Sequence, residues 1–168
     1  MYKGEADWTL IAKVKNNPRI RIPIFGNGDI NSAPKALEYK NRYGVDGIMI
    51  GRAAINHPWI FREIKHFIQT GDLLPPPSVL ERLETCSNHL IKSIQWKGEK
   101  KAIFNMRGKY GGYLRGLPSI KDYLKRIMEL NEPEAIFELI DEMKMNYSGF
   151  EISELPIEII NYHEKCPI

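Results

Sequence analysis

Two short apolar segments, each running into a glycine-flanked polar turn, constrain the fold of this chain more than any other feature. Ile22-Pro23-Ile24-Phe25 leads into Gly26-Asn27-Gly28-Asp29, and Gly47-Ile48-Met49-Ile50 leads into Gly51-Arg52. Uniformly apolar runs of this length suit strands buried on both faces of a parallel sheet. Helix-compatible sequence follows each turn, so two helix starts are expected side by side at one sheet edge. Backbone N–H groups freed by the glycines, together with the positive helix ends, make a phosphate socket there. The last two βα loops of a (β/α)8 barrel hold phosphates in this way.

At 168 residues the chain can bury a sizeable core, but a complete barrel needs roughly 200 residues or more. The expected fold is an α/β remnant, the last two βα units of a TIM barrel, followed by an all-α helical bundle. In residues 1–71, Asp7 caps a first helix whose apolar face is Trp8, Leu10, Ile11 and Val14. Ser32 opens a second, with Pro34 in its first turn and Gly44 at its end. Pro58 opens a third, with Ile60, Phe61, Ile64, Phe67 and Ile68 as its buried stripe and Thr70-Gly71 as its stop. Two parallel strands alone make no stable sheet, so further strands are expected upstream.

Residues 72–77 contain Pro75-Pro76-Pro77, a stiff spacer that cannot be helical. Residues 78–147 carry no strand pattern. Ser78 and Glu81 form a capping box for a helix with the stripe Leu80, Leu83, Leu90, Ile91 and Ile94. A second helix is expected from Lys100 to about Tyr113, weakened by Gly108, Gly111 and Gly112. Ser119 and Asp122 start a third, bearing Ile120, Tyr123, Leu124, Ile127 and Met128. Asn131, Pro133 and Glu134 start a fourth, bearing Ile136, Phe137, Leu139, Ile140 and Met143. Residues 148–168 read as an irregular tail.

The net charge of +3 says little, but its distribution says more. Residues 92–126 hold ten Lys/Arg against two acids, and residues 127–158 hold nine acids against one Lys. Aromatics Trp96, Phe104, Tyr110, Tyr113 and Tyr123 interleave the basic stretch, which suits either a nucleic-acid surface or an ordinary solvated helix face. No apolar run is long enough to span a membrane and no secretory h-region precedes Trp8, so a soluble cytoplasmic protein is expected. Cys86 and Cys166 have neither metal-ligand nor CxxC spacing and read as free thiols. His57, His66, His89 and His163 form no ligand-like cluster and read as packing or surface residues.

In the first turn, Gly26 and Gly28 would let backbone approach an anion, and Asn27 could donate its amide. Asp29, acidic beside such a site, could cap the next helix or accept from a ribityl hydroxyl. Arg52 offers a planar donor fork. The bland alternative is a tight βα turn with a surface arginine. There is no third glycine for a dinucleotide fingerprint and no Lys-Ser/Thr for a P-loop.

The string Tyr2-Lys3-Gly4-x-Ala6-Asp7-Trp8, then Ile24 to Ile30, then Val45 to Ala54, then Pro58-Trp59-Ile60-Phe61, resembles the tRNA-dihydrouridine synthases, the bacterial DusB-like branch in particular. The resemblance extends to about residue 145. It implies an FMN-dependent enzyme that reduces uridine in tRNA with NADPH, built as a barrel plus a helical tRNA-binding domain. By position, Asn27, Gly28 and Asp29 match one FMN-contacting loop, and Gly51 with Arg52 match the loop at the FMN phosphate. Met106-Arg107 through Pro118 resembles the helical-domain signature, which makes Lys100, Lys101, Arg107, Lys109, Tyr113 and Arg115 the implied tRNA-facing residues. The family usually shows Arg-Lys-His and a Trp-Tyr pair there, whereas Gly108, Lys109 and Gly112 depart from that pattern. The family's proton-donating cysteine lies on earlier barrel strands, and neither Cys86 nor Cys166 matches it. The chain therefore reads as the C-terminal part of a synthase, without catalytic residues of its own and inactive alone. Two alternatives stay open: another flavin- or phosphate-binding barrel oxidoreductase, or a stand-alone nucleic-acid-binding module.

Overall fold

A computed structural model describes residues 4–150. The chain divides into two compact units at Pro75/Pro76. Among the described residues, no helix is long and apolar enough to cross a membrane.

The first unit comprises α1 (Trp8–Lys15), β1 (Phe25–Asn27), α2 (Ala33–Tyr43), β2 (Gly47–Met49), α3 (Ala53–Asn56) and α4 (Ile60–Thr70). The strands pair in parallel, with Phe25 opposite Gly47 and Asn27 opposite Met49. Local chemistry sets the helix ends. Asp7 accepts from the Thr9 N–H at 2.9 Å, Ser32 accepts from Lys35, and Gly44 and Gly71 close α2 and α4 in the left-handed conformation.

Trp8 is the centre of this unit. Its indole is 2% exposed and packs with Ile30, Ala36 and Val45. It meets Tyr39 edge-on at 5.0 Å and stacks on Tyr43 at 5.5 Å. Leu10 and Val14, expected on the same buried face, are exposed instead, because α1 rests on α2 through one narrow stripe. Asp46 ties three elements together. Its carboxylate accepts from Lys15 of α1 and from the Ile24 N–H at 2.7 Å, while its own N–H donates to the Ile24 carbonyl at 2.9 Å. The Lys15 hydrogen bond is the main reason its carboxyl titrates below the usual carboxylate range.

The strands differ from expectation in two respects. β1 lies later than the apolar run Ile22–Phe25 and takes in Gly26 and Asn27, since pairing begins only opposite Gly47. Nor are the strands buried on both faces: Phe25 is 65% exposed and Met49 58%. Among the described residues the sheet has two strands, and both of its edges lack a neighbour. On α4, Ile60 is buried, while Phe61 and Ile68 of its expected stripe are exposed.

The second unit is all-helical: α5 (Val79–Lys97), α6 (Glu99–Leu114), α7 (Ile120–Glu129) and α8 (Pro133–Asn146). α5 packs against α6 and α8, and α6 against α7. Leu83, Leu90, Met106, Tyr110, Leu114, Ile136, Ile140 and Met143 fill the core. Ser78 caps α5 by accepting from the Glu81 N–H. Ser119 makes no such bond before α7 and sits in the left-handed region at φ 53°. Three internal glycines do not break α6, because Met106, Tyr110 and Tyr113 anchor it on either side of them. Cys86 is buried in this core, and burial pushes its thiol up to about 12. Cys166, His163 and nearly all of the expected tail lie outside the described residues.

Glycine position gives a direct test. A Cβ at Gly26 would stand 2.1 Å from the Trp8 ring, whereas one at Gly108 meets nothing within 4 Å. Gly26→Ala is expected to destabilise the first unit by about 1–3 kcal/mol. Gly108→Ala is expected to stabilise the second by up to about 1 kcal/mol. Urea denaturation followed by circular dichroism reads both.

Candidate phosphate loops and basic helical face

The loop after β1 is held by its own chain. Gly28 adopts φ 131° and Asp29 φ 52°. The Gly28 carbonyl accepts from the Trp8 indole N–H at 3.0 Å. A Cβ at Gly28 would lie 2.2 Å from the Ala6 Cβ. Gly26 and Gly28 are therefore required by Trp8 and Ala6, a reason that sequence reading assigned to an approaching anion. Asn27 is exposed at the end of β1.

Asp29 does not cap α2, a role taken by Ser32. One Asp29 oxygen accepts from the Ala6 N–H at 2.7 Å and the other from Arg52 Nη2 at 2.7 Å. The carboxylate thus joins the loop after β1 to the loop after β2, and the two loops are brought together as the parallel pairing requires. Arg52 lies just before α3 with its side chain half exposed. Gly51 beside it is exposed, with nothing within 4 Å of an added Cβ. An open glycine next to a half-exposed guanidinium can take a phosphate oxygen on backbone N–H and arginine together. Asp29 offsets part of the arginine charge, which leaves a socket that relies on directed donors more than on net charge.

At the corner between α3 and α4, His57 is buried and its Nε2 lies 2.8 and 2.9 Å from the two Glu63 oxygens. Sequence reading left His57 as a packing or surface residue and did not find its partner, six residues on.

In the second unit the expected basic residues separate into two groups. Lys100, Lys101 and Arg115 are exposed and Lys109 is partly so. Arg107 instead donates to Asn131 Oδ1 at 2.9 Å and to the Leu130 carbonyl at 3.4 Å, tying α6 to the turn before α8. Tyr113 is a correction to the expected tRNA-facing set: it is 4% exposed, and its hydroxyl lies 3.0 Å from His89 Nδ1. Its ring has no free face for a base, because α6 turns position 113 into the core together with Met106 and Tyr110. Burial holds His89 below the usual histidine range, and the ammonium groups of Lys109 and Lys97 add to that effect.

Arg82 was missed by periodicity. It is a buried cation, and its guanidinium donates to the carbonyls of Tyr113 at 2.8 Å and Arg115 at 2.6 Å. It satisfies the C-terminal end of α6, where cations are favoured. An arginine on the apolar side of a helix, at i−1 to Leu83, was the available signal.

The family model for dihydrouridine synthase (Dus) matches residues 1–146. The chain belongs to the dihydrouridine synthase family. It is 36% identical over 141 residues to a probable tRNA-dihydrouridine synthase of Rickettsia conorii, covering 84% of this chain and 42% of that relative. Against tRNA-dihydrouridine synthase B of Pseudomonas aeruginosa it is 37% identical over 135 residues, 80% of this chain and 40% of the relative. The corresponding protein of Shewanella oneidensis is 44% identical over 114 residues, 68% of this chain and 35% of the relative. The chain thus spans about two fifths of the length of these curated relatives. Dihydrouridine synthases belong to the TIM-barrel class, and this member is helix-rich with two short strands among its described residues.

The Asp29 bridge can be tested by stability alone. Asp29→Asn keeps a residue that tolerates positive φ but has a single acceptor oxygen, so it loses the ion pair and one of the two hydrogen bonds, at a cost of about 1 kcal/mol. Asp29→Ala loses both hydrogen bonds and strains the backbone, for about 1–3 kcal/mol. Paired thermal melts give the order.

Proposed function

We propose that this chain supplies the FMN-phosphate loops and the tRNA-docking helices of an FMN-dependent tRNA-dihydrouridine synthase. The observation that carries the reading is the pair of adjoining βα loops joined through Asp29 and Arg52, in a member of the Dus family. In this reading residues 1–71 are the last two βα units of a TIM barrel, 72–77 a proline-rich linker, 78–147 the tRNA-binding domain and 148–168 a tail.

The donor set fits a phosphate. Gly51 leaves room for close approach, and Arg52 can turn part of its fork from Asp29 to an incoming anion. Asn27 and Gly28 would flank the same group from the first loop, and Asp29 would hold Arg52 in place and accept from a cofactor hydroxyl. When bound, FMN supplies the hydride for uridine reduction, with NADPH as the source of electrons. Among the described residues the one cysteine is Cys86, whose thiol is buried in the helical core, so this reading gives it no proton-donating role. Lys100, Lys101, Lys109 and Arg115 would meet the tRNA phosphates, and Arg107 would hold the helices that present them. The proposed setting is the cytoplasm, where tRNA is the substrate.

Fluorescence titration of the chain with FMN and with riboflavin tests the first loop pair. FMN is expected to bind more tightly, and Arg52→Ala to remove about tenfold or more of that preference. Equal binding of the two flavins before and after substitution would defeat the phosphate assignment. For tRNA, Lys100→Ala with Lys101→Ala is expected to lower the dependence of log Kd on log salt by about 1–2. An unaltered slope returns those lysines to a merely solvated face.

A further inference from the structure

The second unit buries Tyr110 and Tyr113 yet leaves two less polar aromatic side chains in solvent: Trp96 is 85% exposed and Phe104 72%. Trp96 lies in the last turn of α5 and Phe104 in the second turn of α6. Gly98 alone separates these helices and caps both. At 1.5 Å rise per residue, the two rings are attached about 3 and about 9 Å from that tip along their helix axes. Residues 92–109 contain Lys92, Lys97, Lys100, Lys101, Arg107 and Lys109 against the single acid Glu99. Lys100 and Lys101 stand four and three residues before Phe104, on the same exposed side of α6. The Lys97 ammonium is 5.7 Å from the centre of the Trp96 ring.

A protein-binding patch has a charge-poor apolar centre. Here each ring is bordered by ammonium groups. Aromatic faces among cations are what an RNA strand with unstacked bases requires: the rings take the bases and the cations take the phosphates. Duplex RNA keeps its bases stacked and gives the rings nothing to hold.

We propose that Trp96 and Phe104 are stacking platforms for unpaired tRNA bases, with Lys97, Lys100 and Lys101 holding the adjoining phosphates. The apex of the α5–α6 hairpin then grips a loop or unpaired segment of the tRNA. This rests on the tRNA-docking reading above and adds to it a contact mode and two residues that neither charge nor family position assigns.

The test uses the intact chain and its own fluorescence. Trp8 and Trp59 are buried, so the red edge of the emission reports Trp96. Titration with a tRNA transcript is expected to quench that emission, and Trp96→Phe to remove the quench. Trp96→Ala and Phe104→Ala are each expected to weaken tRNA binding about 5- to 100-fold without changing the salt slope. Neither should weaken binding of a fully paired RNA duplex. Circular dichroism of each variant confirms that the helices persist. Tight, salt-dependent tRNA binding that both alanine variants leave untouched would overturn the stacking role while the docking reading stands. No binding of tRNA at all would overturn both. Quenching by poly-glutamate as strong as by tRNA would make the apex an acidic-protein surface and overturn the proposal.

Discussion

The first unit depends on the contact between the Trp8 indole and the backbone of the loop after β1. A tryptophan ring can lie flat on a strand only where that strand has no side chain beneath it, and Gly26 provides that space. Once seated, the indole N–H fixes the Gly28 carbonyl, and the ring face gathers Tyr39 and Tyr43 from α2. The loop conformation, the position of α1 and the register of α2 are thus settled together. Asp29 can then reach both Ala6 and Arg52, because the segment before α1 and the loop after β2 are already within one carboxylate of each other. The edge that carries the two loops is a product of this packing.

The second unit turns on a buried cation. Arg82 occupies the apolar side of α5 because the end of α6 presents it with carbonyl oxygens that would otherwise be unsatisfied. That anchoring fixes the rotation of α6, and the rotation decides which of its residues are seen from outside. Tyr113, Met106 and Tyr110 go in, while Lys100, Lys101 and Phe104 stay out. Further on, Arg126 is paired with Glu142 across α7 and α8 at 2.5 and 2.7 Å, which removes one cation from the basic stretch that composition counted.

Features whose cause lies within a few residues were legible in the sequence. Asp7, Ser32, Gly44, Gly71 and Ser78 perform the capping roles that their chemistry dictates. Features whose cause lies far along the chain were not. Asp29 reads as a cap or cofactor ligand until its partners, Ala6 and Arg52, come into view twenty-three residues away on either side. Gly26 and Gly28 read as an anion loop until Trp8 is laid on them. Tyr113 and Arg107 read as surface groups because a glycine-rich helix blurs its own periodicity, and their partners His89 and Asn131 show where they point. The apolar runs were recognised as strands, but their two-sided burial depends on neighbouring strands that no local pattern can supply.

The single-residue joint at Gly98 also has a kinetic meaning. α5 and α6 meet through neighbours close in sequence, so their hairpin can close at the speed of local helix encounter, on the order of microseconds. The pairing of Phe25 with Gly47 must wait until α2 has formed and carried the chain back across the sheet. The apolar edge marked by Ile22, Phe25 and Met49 stays exposed after that pairing as well, so this is where copies of the chain would associate with one another.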